Sequence, residues 1–213
     1  MTNRLAAAEN NAHGTAAVKT SQHGFSLITT LILLIVVTLL GIGASQMVLL
    51  SEKSTRFDRD QQIAFQAAEA ALVDAEFDIR GPNTAAAQRL ATFTGKGEDK
   101  VNFVDGCGTG TLQGLCSSTL IGGKSVWYSV DFTDTSNSAK TVGFGQFTGR
   151  TLSTGTTGMR SELAPRYLIE LIDDLTPGAS SNNLPRILYR VTAMGFGPRK
   201  ETQAVVQMIF RKE

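Results

Sequence analysis

The stretch SQHGFSLITTLILLIVVTLLGIGASQMVLL, residues 21–50, decides how the rest of the chain is read. An uncharged run begins abruptly at Phe25, behind a polar leader, and lasts 27 residues, to Ser51. A hydrocarbon core of about 30 Å takes about 20 helical residues to cross, so the run is long enough to span a bilayer. A secretory signal fits less well. Its apolar region is usually about 7–15 residues and closes on small residues at a cleavage site.

Working outward, the run passes without a stop signal into STRFDRDQQIAFQAAEAALVDAEFDIRGP, residues 54–82. There Ala64, Ala68, Ala71, Leu72, Ala75 and Ile79 recur at helical spacing, with Phe65 beside Leu72 on a flank. Asp58, Arg59, Asp60, Glu69, Asp74 and Asp78 fall largely off that stripe. Gly81-Pro82 is a stop. The pattern predicts one helix over residues 25–80, about 84 Å long at the usual rise. Its first half is apolar all round and its second half carries one stripe for a folded domain. Gly41 and Gly43 interrupt the spanning half. They suit either close helix packing in a membrane or a place where the helix loosens.

Charge is balanced, with 20 basic and 19 acidic residues among 213. Residues 1–24 hold Arg4, Lys19 and Glu9, so without them the chain has 18 of each sign. This gives no electrostatic case for binding nucleic acid. Both histidines, His13 and His23, lie in the same leader.

The junction HG followed by FSLITTLILL resembles the class III signal of type IV pilins and type II secretion pseudopilins. That resemblance implies cleavage after Gly24 by a prepilin peptidase and methylation of the new amino terminus at Phe25. The apolar helix then stays attached, first as an anchor and later as the core of a fibre. The segment DRDQQIAFQAAEAALVDAE and the tail YRVTAMGFGPRKETQAVVQMIFRK resemble the PilX-like minor pilins of bacterial type IV pili. The family implies an α+β fold, a long amino-terminal helix packed on an antiparallel sheet. It divides the chain into a leader (1–24), a pilin helix (25–80, of which 25–50 is transmembrane) and a periplasmic or extracellular globular domain (81–213). Leu27, Ile28, Leu31 and Leu34 are then expected to make helix-bundle contacts.

One position departs from the pattern. Most pilins carry Glu at the fifth place of the mature chain, where it is thought to pair with the amino terminus of the neighbouring subunit. Here that place holds Thr29. A carboxylate inside hydrocarbon costs at least about 2.5 kcal/mol unless paired. Keeping it makes sense for a subunit that docks beneath another, and less for one with nothing above it. The expected role is therefore at or near a pilus tip, priming or capping assembly. The implied partners are other minor pilins, the major pilin, the inner-membrane assembly platform and the prepilin peptidase. The implied location is the inner membrane before assembly, as a single-pass protein with its carboxy-terminal domain periplasmic, and the extracellular pilus afterwards. The alternatives are a tip pseudopilin of type II secretion, a tip-displayed adhesin and a signal-anchored enzyme.

In the folded part, PNTAAAQRLATF (82–93) suggests a short helix with Pro82 in its first turn. Strands are expected at KSVWYSVDF (124–132), RYLIELID (166–173), RILYRVTAMGF (186–196) and ETQAVVQMIF (201–210), with a turn at GFGPRK. The last three strands suggest an antiparallel meander on the helix stripe. In the final strand Ala204, Val206, Met208 and Phe210 share one face and Gln203, Val205, Gln207 and Ile209 the other. Which face packs is left open by the alternation. On the exported side of a membrane Cys107 and Cys116 are expected to form a structural disulfide. Residues 133–158, dense in Ser, Thr and Gly, read as a long surface loop, or as a recognition loop.

A mature chain without histidine excludes Ser-His-Asp and Cys-His catalysis. The glycines of GFGQFTG and GTGTLQG lack the spacing of nucleotide-binding loops. Asp173, Asp174, Asp131 and Asp134 read as solvated loop acids. No enzyme activity, cofactor or metal is expected.

Overall fold

The predicted helix forms with its predicted ends. The computed structural model describes residues 25–86, 88–118, 124–152, 159–174 and 186–212. Helix α1 runs over Phe25–Arg80, 56 residues. It stops for a local reason. Gly81 follows at φ +76°, a left-handed conformation that glycine takes without steric cost, and its N–H bonds to Phe77 O at 2.8 Å. The Lys212 Nζ donates to Ile79 O at 2.8 Å, so one of the orphan terminal carbonyls receives a cation.

The chain divides into two compact units between Ser51 and Glu52. In the first, the described residues are all helix, and the large apolar side chains from Phe25 to Leu50 are exposed. α1 is long and apolar enough to cross a membrane. The helix is continuous through Gly41 and Gly43, and a Cβ at either would meet nothing within 4 Å.

In the second unit the helix lies on a five-stranded sheet. The strands are β1 (Leu115–Ser117), β2 (Val142–Gly143), β3 (Arg166–Asp173), β4 (Ile187–Phe196) and β5 (Gln203–Phe210). β3, β4 and β5 form the expected antiparallel meander, with Ile169 opposite Val191 and Val191 opposite Met208. Two pairings were not read from the sequence. β2 joins β3 antiparallel, and β1 runs parallel to β3, so the sheet is mixed rather than wholly antiparallel. Among the described residues, the connection from β1 to its parallel neighbour holds one 3₁₀ turn, Val126–Ser129, and strand β2, where a helix is usual.

The helix comes very close to the sheet. A Cβ on Gly195 would sit 2.1 Å from Ala64 O and 2.3 Å from Ala68 N. Strand β4 thus has no side chain where α1 crosses it, and α1 presents Ala64, Ala67 and Ala68 there, all buried. Small residues on both sides let two backbones approach. Below that crossing Ala71, Ala75 and Ile79 pack with Tyr167, Ile169, Leu171, Tyr189, Val191 and Phe93. Ala204, Val206, Met208 and Phe210 turn inward, which settles the open face of β5. The opposite face of the sheet is covered too. Leu168 and Phe196 pack there with Cys107, Cys116, Val126 and Phe132.

Three expectations fail. Residues 124–132 are not a strand: Val126–Ser129 is a 3₁₀ turn, closed by the Ser129 hydroxyl on Val126 O at 2.8 Å. Its apolar residues cover the outer face of the sheet instead of extending it, and packing overrides β-propensity. The short helix after Pro82 reduces to a 3₁₀ turn at Leu90–Thr92, because Thr84 N is drawn to Thr148 O at 2.9 Å and Arg89 turns inward. The stretch 133–158 is not simply a surface loop. Ala139, Thr141, Val142, Phe147 and Thr148 are buried and β2 lies within it. Residues 153–158 lie outside the described ones.

Candidate functional site

Two features stand out among the described residues, and they lie in different units: the exposed apolar helix of the first and a buried polar clasp in the second.

On the first, Phe25, Leu27, Ile28, Leu31 and Leu34 are 56–72 % exposed. Soluble folds bury such side chains, so this surface calls for an apolar medium or other apolar helices. Gly24 lies outside the described residues. Thr29 donates its hydroxyl to Ser26 O at 2.9 Å and lies 3.2 Å from Phe25 O. Thr30, Thr38 and Ser45 bond back to their own helix in the same way. Each hydroxyl is satisfied locally, so none brings an unmet donor into an apolar medium.

The second feature was missed from sequence. Asp74 and Asp78 lie on the buried side of α1 and are fully enclosed. The Asp78 carboxylate accepts the Arg89 Nε at 3.0 and 3.1 Å, the Arg89 Nη2 at 2.6 Å and the Tyr167 hydroxyl at 2.9 Å. The Arg89 Nη1 donates to Thr111 O at 3.0 Å and Gln113 O at 2.6 Å, and the guanidinium stacks 3.9 Å from the Phe147 ring centroid. One ion pair thereby ties α1, the segment after it, the loop before β1 and strand β3. Burial and the Asp78 charge push the Tyr167 phenol well above its ordinary value, so it stays a donor.

Two more carboxylates do similar work. Asp74 accepts Gly145 N at 2.7 Å and the Thr148 hydroxyl at 2.5 Å, holding the loop around β2 to the helix. Burial raises its pKa, against those bonds and against Arg150 at 3.9 Å. Asp99 accepts Thr94 N, Gly95 N and the Tyr189 hydroxyl. The Tyr189 phenol is held above its ordinary value by burial and then by Asp99.

Cys107 and Cys116 are joined as a disulfide and fully buried. Of the loop acids, Asp173 meets Lys100 at 2.7 Å at the surface, while the Asp174 side chain is buried against Arg211 at 2.8 Å. Asp131 and Asp134 cap their own turns, through Thr133 N and Ser136 N. Burial therefore corrects the reading of Asp174 as a solvated acid. Among the described residues no group of three or more His, Cys, Asp or Glu is placed to hold a metal.

No curated protein and no solved structure matches the chain. Two family models do. PilX N-terminal covers residues 23–73, and Type IV pilus assembly protein PilX C-term covers residues 83–212. The first takes in the exposed helix and its entry into the second unit. The second takes in Arg89, both cysteines and the whole sheet. The two matches leave out residues 74–82, where Asp74 and Asp78 lie, yet together they cover well over half of the chain, and the chain belongs to the PilX family of type IV pilus assembly proteins.

Proposed function

We propose that this minor pilin primes or caps type IV pilus assembly at or near the fibre tip, through helix packing and without a catalytic step. The observation that supports it is Thr29. A subunit that docks beneath another gains from a carboxylate there, because the partner's terminal amine compensates a charge that hydrocarbon penalises by at least about 2.5 kcal/mol. Here the position holds a hydroxyl already bonded to Ser26 O, which asks nothing of a neighbour. In this reading a prepilin peptidase cuts between Gly24 and Phe25 and methylates Phe25. Residues 25–50 sit in the inner membrane with residues 81–213 in the periplasm. Leu27, Ile28, Leu31 and Leu34 then exchange lipid for the helices of other minor pilins and the major pilin on the assembly platform. Membership of the pilus assembly family favours the pilus over a type II secretion tip.

The test is Thr29→Glu in a cell that makes pili, with the subunit counted along sheared fibres. A tip role predicts unchanged copy number per fibre. Incorporation along the whole shaft would sink it. Amino-terminal sequencing of the fibre-borne chain checks that it begins at methylated Phe25.

A further inference from the structure

Arg166 opens β3 and is only 8 % exposed. Unlike Arg89, it has no carboxylate at ion-pair distance among the described residues. Its Nε donates to the Thr141 hydroxyl at 2.6 Å and its Nη2 to Thr141 O at 2.5 Å, both neutral acceptors. Asp134 acts on it only from a distance, and its own carboxylate is engaged with Ser136 N at 2.8 Å. A buried cation without a counter-charge is costly, and proteins seldom keep one without a use.

The same guanidinium lines a surface cavity of about 450 Å³, together with Thr111, Gln113, Ser136, Asn137 and Gln146. The volume is that of a site for a small molecule. The walls combine hydroxyl and amide groups with apolar surface, Phe147 among it. Two of the amides are held in place: Gln146 donates to the Gln113 side chain at 2.7 Å, and Gln113 donates to Thr141 O at 3.0 Å. Gly143 leaves the approach to the guanidinium clear, since a Cβ there would stand 3.3 Å from Nη1. A positioned cation surrounded by fixed amides and hydroxyls suits a ligand with one carboxylate and many hydroxyl groups, each able to donate and accept.

We propose that this pocket binds an acidic sugar, with its carboxylate on Arg166 and its ring hydroxyls on Gln146, Asn137 and their neighbours. The site stands whether or not the subunit occupies the fibre tip. Ser136, Asn137 and Gln146 belong to the Ser- and Thr-rich stretch, so that stretch both packs into the core through Val142 and Phe147 and supplies the recognition surface.

The test is titration of the full-length chain in detergent micelles, by calorimetry and saturation-transfer NMR. The probes are D-glucuronic acid, D-galacturonic acid and N-acetylneuraminic acid, with D-glucose and acetyl-glutamate methylamide as controls. At least one acidic sugar binds saturably with a millimolar dissociation constant, tenfold or more tighter than either control. Arg166→Gln loses that binding. Because Arg166 also supports Thr141, the exposed positions provide the second arm: Asn137→Ala and Gln146→Ala each weaken binding several-fold with unchanged thermal unfolding. The proposal is overturned if no acidic sugar saturates, or if glucose binds as well. Equal or tighter binding of the glutamate compound identifies a protein carboxylate as the occupant and also overturns it, as does unaltered affinity in both alanine variants.

Discussion

Replacing Asp78 by Ala tests the idea that one buried ion pair organises the globular unit. The substitution removes the acceptor for the Arg89 Nε and Nη2 and for the Tyr167 hydroxyl, and leaves the guanidinium with only the carbonyls of Thr111 and Gln113. Both side chains of the pair are at most 2 % exposed, so water does not take over. Breaking a buried pair on one side costs about 3–5 kcal/mol. Taking about 4 kcal/mol and a urea slope of about 2 kcal/mol per molar, the unfolding midpoint falls by about 2 M. The assay is urea unfolding of the full-length chain in micelles, followed by fluorescence of the sole tryptophan, Trp127. The internal comparison is Lys100→Ala. It removes an ion pair of similar length, 2.7 Å, whose side chains are 47 % and 56 % exposed. That costs about 0.5 kcal/mol, a shift of roughly a quarter molar. The double variant Asp78→Leu with Arg89→Met removes both charges and costs less than the sum of its parts. Equal shifts for Asp78→Ala and Lys100→Ala, or strict additivity in the double variant, would refute the reasoning.

Three further outcomes follow from the same structure. Gly195→Ala drives a methyl group into the Ala64 and Ala68 backbone, so it costs several kcal/mol, about as much as overpacking a core or more, and the urea midpoint falls although alanine is the better strand residue. Asp74 has a raised pKa through burial, so its contribution is fullest below the unfolded value of 3.8 and is lost as pH rises through the higher folded value. Wild type minus Asp74→Asn stability, from urea midpoints at stepped pH, therefore declines from about pH 3.5 upward and then levels; a difference that grows with pH contradicts the burial argument. Replacing both Cys107 and Cys116 by Ser opens a loop of about ten residues and lowers stability by about 2.7 kcal/mol in the chain-entropy account, read as a fall in thermal midpoint.

The extent of α1, the exposed apolar character of its first half and the three carboxy-terminal strands were legible in the sequence. They rest on signals within a few residues: an uncharged run, a period of 3.6 closed by Gly81, and β-rich segments separated by turns. The family was legible for the same reason, because its motifs sit in those two regular segments. The partners of charged groups were not. Asp74 and Asp78 were read with the charges that fall largely off the apolar stripe. They are buried because Thr148, Gly145, Arg89 and Tyr167, up to 89 residues away, come to them. Nothing local announces such a meeting. The parallel pairing of Leu115 with Ile169 and the inward turn of Phe147 are also products of chain return. So is the pocket around Arg166, where residues from three segments converge on one cation. Periodicity along a chain states which face of an element is apolar. Only the packed structure states which distant groups complete its charges, because that depends on where the chain comes back.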